Sequence, residues 1–578
     1  MTTLNKNSLL EKLTFVYGSE NADEIYNQIE GLIKKYEQDI EERSKKWVDE
    51  KDVMLITYGD SIKENGKDPL KTLHEFLNKY MREFINSVHI LPFYPYSSDD
   101  GFSVIDYLQV NEELGDWDDI RAMAHDFDLM FDAVINHISK ESKWFQEYLK
   151  GNPEYQDYFI EADPDADYSK VVRPRALPLL TKFSTQNGEK YVWTTFSDDQ
   201  IDLNYKNEKV LLEIIEVLLN YIKNGARYIR LDAIGFLWKE LGTTCIHLPE
   251  THKIIQLIRE VVDAVAPGTL LISETNVPHE ENISYFGDGY NEAHLVYQFP
   301  LPPLTLFSIL TGNARYLLEW ADSLEPTSEK TTFFNFLASH DGIGVRPVEG
   351  ILSDEEVQLL VDIVKAHGGF VSYKDNGDGT KSPYELNINY LDALSHPDDP
   401  EYLKVNRFIA AHHILLSMAG VPGIYIHSLL GSQSYLDGVK ETGIYRTINR
   451  EKLNRITVEE QLADKESLRF QVFYRLANLI KIRIRELAFH PNAAQKVLFL
   501  DNRVFALQRI ARDRKETILS LTNVSDQHIS ITVDCQEVGI TGESIIDLIA
   551  NEVRIVEGNK LHIELKPYQI VWLKSGLQ

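Results

Sequence analysis

The stretch GARYIRLD, residues 225–232, is a short apolar run that ends in an arginine and an acidic residue. Its length and its aromatic and β-branched residues are typical of a buried strand. Because side chains alternate along a strand, Arg230 and Asp232 lie on the same face. Charged side chains are rarely placed in such surroundings unless they are paired or used. The stretch therefore predicts a buried strand with a candidate site at its C-terminal end.

Seven other apolar runs have a similar length, and helical patterns separate most of them, for example over 210–223 and 253–265. Together with 228–232, the predicted strands are 53–58, 87–93, 129–136, 270–274, 295–299, 333–339 and 424–429. Eight alternating βα units indicate either a TIM barrel or an open doubly wound sheet. Nearly every run ends in a polar residue on its C-terminal side, the side that carries the catalytic groups of TIM barrels. We therefore predict an α/β fold, a (β/α)8 TIM barrel.

Two gaps between predicted strands are too long for plain loops, and they divide the chain further. One gap, 138–203, follows the third strand, and the other, 342–390, follows the seventh. Long insertions usually carry function, and both are expected to overhang the same barrel face. Residues 1–50 have the apolar spacing of an N-terminal helical extension, and 51–487 form the catalytic barrel. Short alternating stretches predict a C-terminal antiparallel β domain over 488–578, with strands at 497–500, 504–508, 517–521, 528–533, 561–565 and 570–573.

The composition excludes several classes of protein. The 578 residues include 59 Lys and Arg and 89 Asp and Glu, for a formal charge of −30. This charge argues against a nucleic-acid or anionic-membrane partner, and an anionic substrate requires a local cluster of arginines. The hydrophobic fraction of 43% is ordinary for a globular protein and excludes a disordered chain.

Targeting and redox signals are few. Cys245 and Cys535 have no CxxC neighbour, so neither a disulfide framework nor a thiolate metal site is predicted. The uncharged run 408–430 is long enough for a membrane helix, but glycines and a proline interrupt it, which favours a buried helix followed by a strand. The N-terminus lacks the apolar core of a signal peptide. We therefore predict a cytoplasmic protein.

Three acidic residues stand at predicted strand ends, namely Asp232, Glu274 and Asp341. Such a set suits retaining glycosyl transfer, which needs a carboxylate nucleophile and a second carboxyl about 5 Å away. Arg230 is expected to hold Asp232 ionised, as a nucleophile requires. Glu274 has no basic residue in its own strand, which predicts a raised pKa and an acid role. His340, next to Asp341, is expected to bind sugar hydroxyls.

Four segments resemble the signature segments of the α-amylase superfamily, in the expected order. They are DAVINH at 132–137, GARYIRLD at 225–232, ISE at 272–274 and SHD at 339–341. Within that superfamily, the segments 91–107, 173–175 and 443–451 look like the sucrose phosphorylase subfamily. The segments 273–287 and 296–303 are similar to the phosphorylases of glucosylglycerate rather than to true sucrose phosphorylases.

The resemblance implies a role for each site residue. Asp232 attacks the anomeric carbon and forms a β-glucosyl ester, Glu274 protonates the leaving oxygen and then assists phosphate, and Asp341 stabilises the transition state. The implied contacts of the substrate and phosphate are Asp99, Phe102, His137, Phe196, Arg230, His340, Arg450, Arg175, Tyr384 and Glu385. The fructose-contacting residues of true sucrose phosphorylases are replaced by Ser382 and Glu385, which weakens the case for sucrose. Asn136 stands where many amylases bind calcium, an ion that the phosphorylase branch lacks.

The resemblance thus implies a retaining α-glucoside phosphorylase, a hexosyltransferase that reversibly converts 2-O-α-glucosylglycerate and phosphate to α-glucose 1-phosphate and glycerate. The expected partners are the small-molecule glucoside and inorganic phosphate as co-substrate, without metal, cofactor, nucleic acid or membrane, in a monomer or homodimer. Three alternatives stay open. They are a different donor (sucrose, sucrose 6′-phosphate or glucosylglycerol), a related α-glucosidase, and a non-catalytic barrel that acts as a binding or transport-accessory subunit.

Overall fold

A computed structural model describes residues 4–376, 379–540, 544–556 and 558–575. Its centre is a closed barrel of eight parallel strands, each paired with the next in sequence, and the last paired with the first. This confirms the predicted (β/α)8 fold. The barrel strands, β1 to β8 in chain order, are Met54–Thr57, Ser87–Ile90, Asp128–Ala133, Ala226–Asp232, Leu270–Glu274, Leu295–Tyr297, Thr332–Phe336 and Val421–Tyr425.

Helices surround the barrel, as expected for strands that are buried on both faces. The apolar faces of Pro69–Tyr80, Glu208–Lys223 and Pro249–Val265 are buried against the strands. The remaining helices of the ring are Trp117–Asp126, His279–Ile283, Leu301–Thr311, Arg315–Asp322, Glu401–Ser417 and Leu468–Arg483. No helix in the described ranges combines the length and the apolar character needed to cross a bilayer.

The predicted bounds of the eighth strand, 424–429, are wrong. The strand β8 is Val421–Tyr425, and Ile426–Leu429 is a helical turn. The Gly-Val-Pro-Gly segment that we interpreted as a break is therefore part of the barrel. A Cβ added at Gly423 would lie 2.3 Å from Cζ of Phe334, so the glycine lets this ring fill the barrel interior. The run 408–430 does form the predicted buried helix and strand.

The two long insertions are small structured units. In the first, His137–Ser139 pairs with Gln200–Asp202, and Leu180–Thr185 pairs with Gly188–Trp193. In the second, Lys381–Asn387 pairs with both Ile343–Gly344 and Phe370–Asp375. The helices of these insertions are Lys143–Leu149, the 3-10 turn Pro153–Tyr158, Asp354–Ala366 and Tyr390–Ala393. The first and last strands of each insertion pair with each other, so both insertions are anchored at the C-terminal face of the barrel.

The N-terminal helices and the C-terminal domain pack on different parts of the helical ring. The N-terminal helices Lys6–Tyr17 and Ser19–Tyr36 contact the barrel through Lys12, which lies 2.9 Å from Glu260, and through the hydroxyl of Tyr17, which donates to the carbonyl of Tyr205. The C-terminal domain rests on Glu401–Ser417, where the indole of Trp572 donates to Ser417 Oγ at 2.9 Å.

The C-terminal domain has a six-stranded antiparallel sheet and a two-stranded ladder. Its strands are Ala494–Val497, Val504–Ile510, Thr517–Asn523, Ile529–Asp534, Ser544–Asp547, Glu552–Ile555, Lys560–Leu565 and Ile570–Ser575. The predicted strand 497–500 is misplaced, and the hairpin over 544–555 was not predicted. This hairpin forms the sheet edge, where Val553 and Ile555 are largely exposed, so it lacks the pattern of a half-buried strand.

Candidate active site

Two carboxyl groups meet because β4 and β5 are neighbours in register. Glu274 is the register partner of Asp232, and each residue ends its strand. Nη1 of Arg230 donates to Asp232 Oδ1 at 2.8 Å, and Nη2 lies 3.7 Å from Glu274 Oε2. The next residue, Ala233, has a φ of 48°, and its N–H donates to Glu274 Oε2 at 3.2 Å. One guanidinium and one strained turn therefore hold both carboxyl groups together.

The Arg230 guanidinium is fixed from behind by a second pair of buried groups. It donates to Asp132 Oδ1 at 2.5 Å, and Asp132 accepts a hydrogen bond of 2.6 Å from the ring of His89. Burial raises the pKa of Asp132, but the charges of Arg230 and His89 outweigh burial and lower it overall. A stably charged Asp132 keeps Arg230 oriented toward Asp232.

Burial raises the pKa of both facing carboxyl groups. The pKa of Asp232 rises to about 8, since burial and the charge of Glu274 exceed the lowering effect of Arg230. The pKa of Glu274 is raised by burial too, against the lowering effects of Arg230 and the Ala233 N–H. Arg230 therefore opposes the effect of burial on Asp232, and its role in keeping this carboxyl ionised stays a prediction. The two groups titrate as a pair that keeps one proton near neutral pH.

Asp341 behaves differently from this pair. Its Oδ1 lies 2.9 Å from Arg446 Nη1 and 3.4 Å from Arg450 Nη2. Burial raises its pKa, but Arg446, His340 and Arg450 together hold the pKa well below its usual range. The ring of His340 stacks on Phe102 with centroids 4.9 Å apart, and burial lowers its pKa to about 3. Near neutral pH, Asp341 is therefore an anion beside a neutral imidazole.

The wall beside His340 comes from the loop after β2 and from the first insertion. Arg450 donates from Nη1 to Asp100 Oδ2 at 2.5 Å and from Nε to the His340 carbonyl at 2.9 Å. Arg175 lies 3.3 Å from Asp99 Oδ2 and 5.6 Å above the centroid of the Phe196 ring. Arg175, which is predicted to contact phosphate, is thus held against Asp99 and Phe196, which are predicted to contact glucose.

One cavity brings most of the predicted site residues together. It is lined by Asp99, Phe102, His137, Arg175, Phe196, Asp232, Glu274, His340, Asp341, Tyr384 and Glu385. Arg230 and Arg450 lie directly behind this lining, against Asp232 and Asp341. His137 is buried, and its Nε2 lies 3.0 Å from the Phe102 carbonyl, so it donates to the backbone that carries this ring. The cavity opens at the C-terminal face of the barrel, where the sequence predicted it.

The sequence reasoning missed Arg446, Arg346 and Asn276, which also line the cavity. Arg446 donates to both carboxylate oxygens of Glu385, at 3.0 and 2.6 Å, besides its contact with Asp341. Glu385, a predicted substrate contact, is thus already bound by a cation. Arg446 belongs to the same segment as Arg450, four residues earlier, and that spacing was the available signal.

A buried ammonium occupies the polar cluster around Asn136. Nζ of Lys239 lies 2.9 Å from Asn136 Oδ1 and 2.7 Å from Asp202 Oδ2. All three side chains are almost fully buried. The contact ties the end of the first insertion to the loops after β3 and β4.

Metal-ligating groups are not clustered in the described ranges, which contain no set of three His, Cys, Asp or Glu arranged to hold an ion. His412 and His413 lie in the helix Glu401–Ser417, as expected. His412 Nδ1 is 2.9 Å from the Phe408 carbonyl, and His413 Nδ1 is 2.8 Å from Thr522 Oγ1. Each ring is therefore hydrogen-bonded through Nδ1 within the core, whereas the buried Nε2 of His413 has no partner in the described ranges.

Comparisons with known proteins identify the family of the chain. Residues 70–346 match the family model "Alpha-amylase: Alpha amylase, catalytic domain". The chain is 50% identical to glucosylglycerate phosphorylase of Allomeiothermus silvanus, over 98% of each chain, and 45% identical to that of Escherichia coli, over 98% of this chain and 100% of the relative. The crystal structure of sucrose 6F-phosphate phosphorylase from Thermoanaerobacter thermosaccharolyticum aligns with a TM-score of 0.72 at 26% identity, covering 89% of this chain and 98% of that one. The chain therefore belongs to the α-amylase superfamily and, within it, to the family of these glycoside phosphorylases.

Proposed function

We propose that the chain is a retaining phosphorylase that converts 2-O-α-glucosylglycerate and inorganic phosphate reversibly to α-glucose 1-phosphate and glycerate. The observation that carries the chemistry is the in-register pair of Asp232 and Glu274, bridged by Arg230. The choice of substrate is supported by relatives of that name, which match nearly the full length of the chain. A metal or cofactor has no part in the proposed reaction.

In the first step, a carboxylate oxygen of Asp232 attacks the anomeric carbon while the bond from that carbon to the glycerate oxygen breaks. The proton that the pair retains passes from Glu274 to the departing oxygen. Asp232 accepts a direct 2.8 Å hydrogen bond from Arg230, whereas Glu274 lies 3.7 Å from the same guanidinium. The anion is therefore better stabilised on Asp232, which leaves the proton on Glu274.

In the second step, a phosphate oxygen attacks the anomeric carbon of the glucosyl ester and the ester bond to Asp232 breaks. The Glu274 carboxylate accepts the proton of the attacking phosphate, which restores the starting protonation of the pair. Two successive inversions retain the α configuration in glucose 1-phosphate.

The other site residues support these steps electrostatically. Asp341 is held as an anion, which suits it to hold glucose hydroxyls and to stabilise the positive charge that develops on the sugar ring. Phe102 and Phe196 offer apolar faces to the sugar. His137 contacts both residues, through the carbonyl of Phe102 and the ring of Phe196. In this proposal Arg175 and Tyr384 contact phosphate.

The test is release of glucose 1-phosphate from 2-O-α-glucosylglycerate, glucosylglycerol, sucrose and sucrose 6′-phosphate, each with and without phosphate. We expect phosphate-dependent glucose 1-phosphate, with the highest kcat/KM on glucosylglycerate. Asp232→Ala is the inactive control. Release of free glucose alone indicates a hydrolase, and a higher kcat/KM on another donor indicates that donor as the substrate.

A further inference from the structure

The charges around the cavity are almost completely paired. Each of four arginines at or behind its wall has a carboxylate partner within 3.3 Å. The pairs are Arg175 with Asp99, Arg230 with Asp232, Arg446 with Asp341 and Glu385, and Arg450 with Asp100. Arg346, which also lines the cavity, is the exception. No side chain in the described ranges forms an ion pair or hydrogen bond with its guanidinium, and its Nε is buried without a partner.

Arg346 lines the same cavity as Glu274, the group that is proposed to protonate the leaving oxygen. It starts the turn Arg346–Val348, five residues after Asp341, and Asn276 comes two residues after Glu274. A Cβ added at Gly344 would lie 2.9 Å from Asn276 Nδ2, so this glycine allows the two loops to approach closely. Asn276 Oδ1 is also buried without a hydrogen-bond partner. Two unsatisfied polar side chains therefore line the cavity beside the Glu274 loop.

No carboxylate in the described ranges lies within ion-pair distance of the Arg346 guanidinium. On the β4 side its neighbour is His247, whose ring lies 3.0 Å from Glu281. Burial lowers the pKa of His247, and the positive charge of Arg346 lowers it further. On the second insertion, Glu385 is bound by Arg446, and the Tyr384 carbonyl accepts from the Val345 N–H at 3.1 Å. A guanidinium left unpaired in a half-buried place is costly unless a ligand satisfies it.

We infer that Arg346 binds the carboxylate of the acceptor, with Asn276 beside it, and thereby selects an acidic acceptor over a neutral polyol or sugar. This inference rests on the proposed function. The carboxylate of a 2-O-linked glycerate is attached to the carbon that bears the leaving oxygen, so it must lie near Glu274. One unpaired guanidinium supplies one positive charge and a planar fork, which matches a monoanionic carboxylate better than a phosphate dianion.

The experiment measures two reactions of the full-length chain and of its Arg346→Gln variant. The first is synthesis from glucose 1-phosphate and glycerate, which requires the acceptor site. The second is arsenolysis of glucose 1-phosphate, in which arsenate takes the place of phosphate and no acceptor is present. We expect the KM for glycerate to rise about 10- to 100-fold, the usual weight of a charged hydrogen bond, and arsenolysis to stay within about twofold.

Two further variants complete the test. Arg346→Lys keeps the charge without the fork, so we expect an intermediate KM for glycerate. Arg315→Gln removes the same charge from an exposed helix, where Arg315 pairs with Glu319, and should change neither reaction.

Three outcomes contradict a proposal. A KM for glycerate within twofold of the wild type in Arg346→Gln overturns the inference. Parallel loss of arsenolysis also overturns it, by assigning Arg346 to phosphate. A wild-type chain that is inactive with glycerate but active with another acceptor contradicts the proposed function instead.

Discussion

The floor and the mouth of the cavity are built by different parts of the chain. We define the floor as Asp232, Glu274, Arg230 and Asp132, which lie on barrel strands, and the mouth as Arg346, Asn276, Arg175 and Tyr384, which lie on the loops and insertions above them. At the floor, the guanidinium contacts three carboxyl groups. At the mouth, Arg346 contacts none in the described ranges. In the proposed reaction, bond cleavage and the choice of acceptor are therefore separable, because residues on strands are assigned to the first and residues on loops to the second.

The largest effect that the comparison predicts is at the floor. Asp232→Asn removes the nucleophile but keeps its size, so we expect kcat/KM to fall by at least about 10⁴-fold on every donor. The control is Asp118→Asn on the exposed face of the helix Trp117–Asp126, which should leave kcat/KM unchanged. Initial rates of glucose 1-phosphate release measure both. A fall in kcat/KM on glucosylglycerate alone, with the other donors unaffected, would contradict the distinction between floor and mouth.

Glu274→Gln separates proton transfer from nucleophilic attack. We expect kcat/KM on glucosylglycerate to fall about 10²- to 10⁴-fold, because the leaving oxygen then receives no proton. Fluoride needs no proton to leave the anomeric carbon. The kcat/KM of the variant on α-glucosyl fluoride should therefore fall much less. Rates of fluoride release and of glucose 1-phosphate formation give the two values. Equal losses on both substrates would mean that Glu274 is not the acid.

The smallest effect is the pH dependence of the floor. The pair needs one retained proton, and burial raises the pKa of both of its groups, that of Asp232 to about 8. Because the deprotonated pair lacks an acid, kcat/KM should fall about tenfold per unit above about pH 8. A pH series of initial rates measures this limb. Arg346→Gln, a change at the mouth, should leave the limb in place, and a displaced limb in that variant would couple the two regions.

The barrel was predictable because its strands are continuous apolar runs, and the floor was predictable because parallel strand ends share one face. These two patterns were sufficient to predict that Asp232 and Glu274 lie at the candidate site. The bounds of β8 were not predictable, since Gly423 is explained only by the ring of Phe334 some 90 residues earlier in the sequence. Arg446 and Arg346 were missed for a similar reason. The partner of Arg446 lies 61 residues away, and the distinguishing feature of Arg346, the lack of a partner, is visible only in three dimensions.

The Lys239 contact has a thermodynamic consequence for the first insertion. A cation taken up from solution stabilises a protein by an amount that depends on its free concentration and vanishes on dilution. The ammonium that neutralises Asp202 is attached to the backbone, so its local concentration is constant. The neutralisation of Asp202, which anchors the end of the first insertion, therefore needs no cation from the surrounding medium.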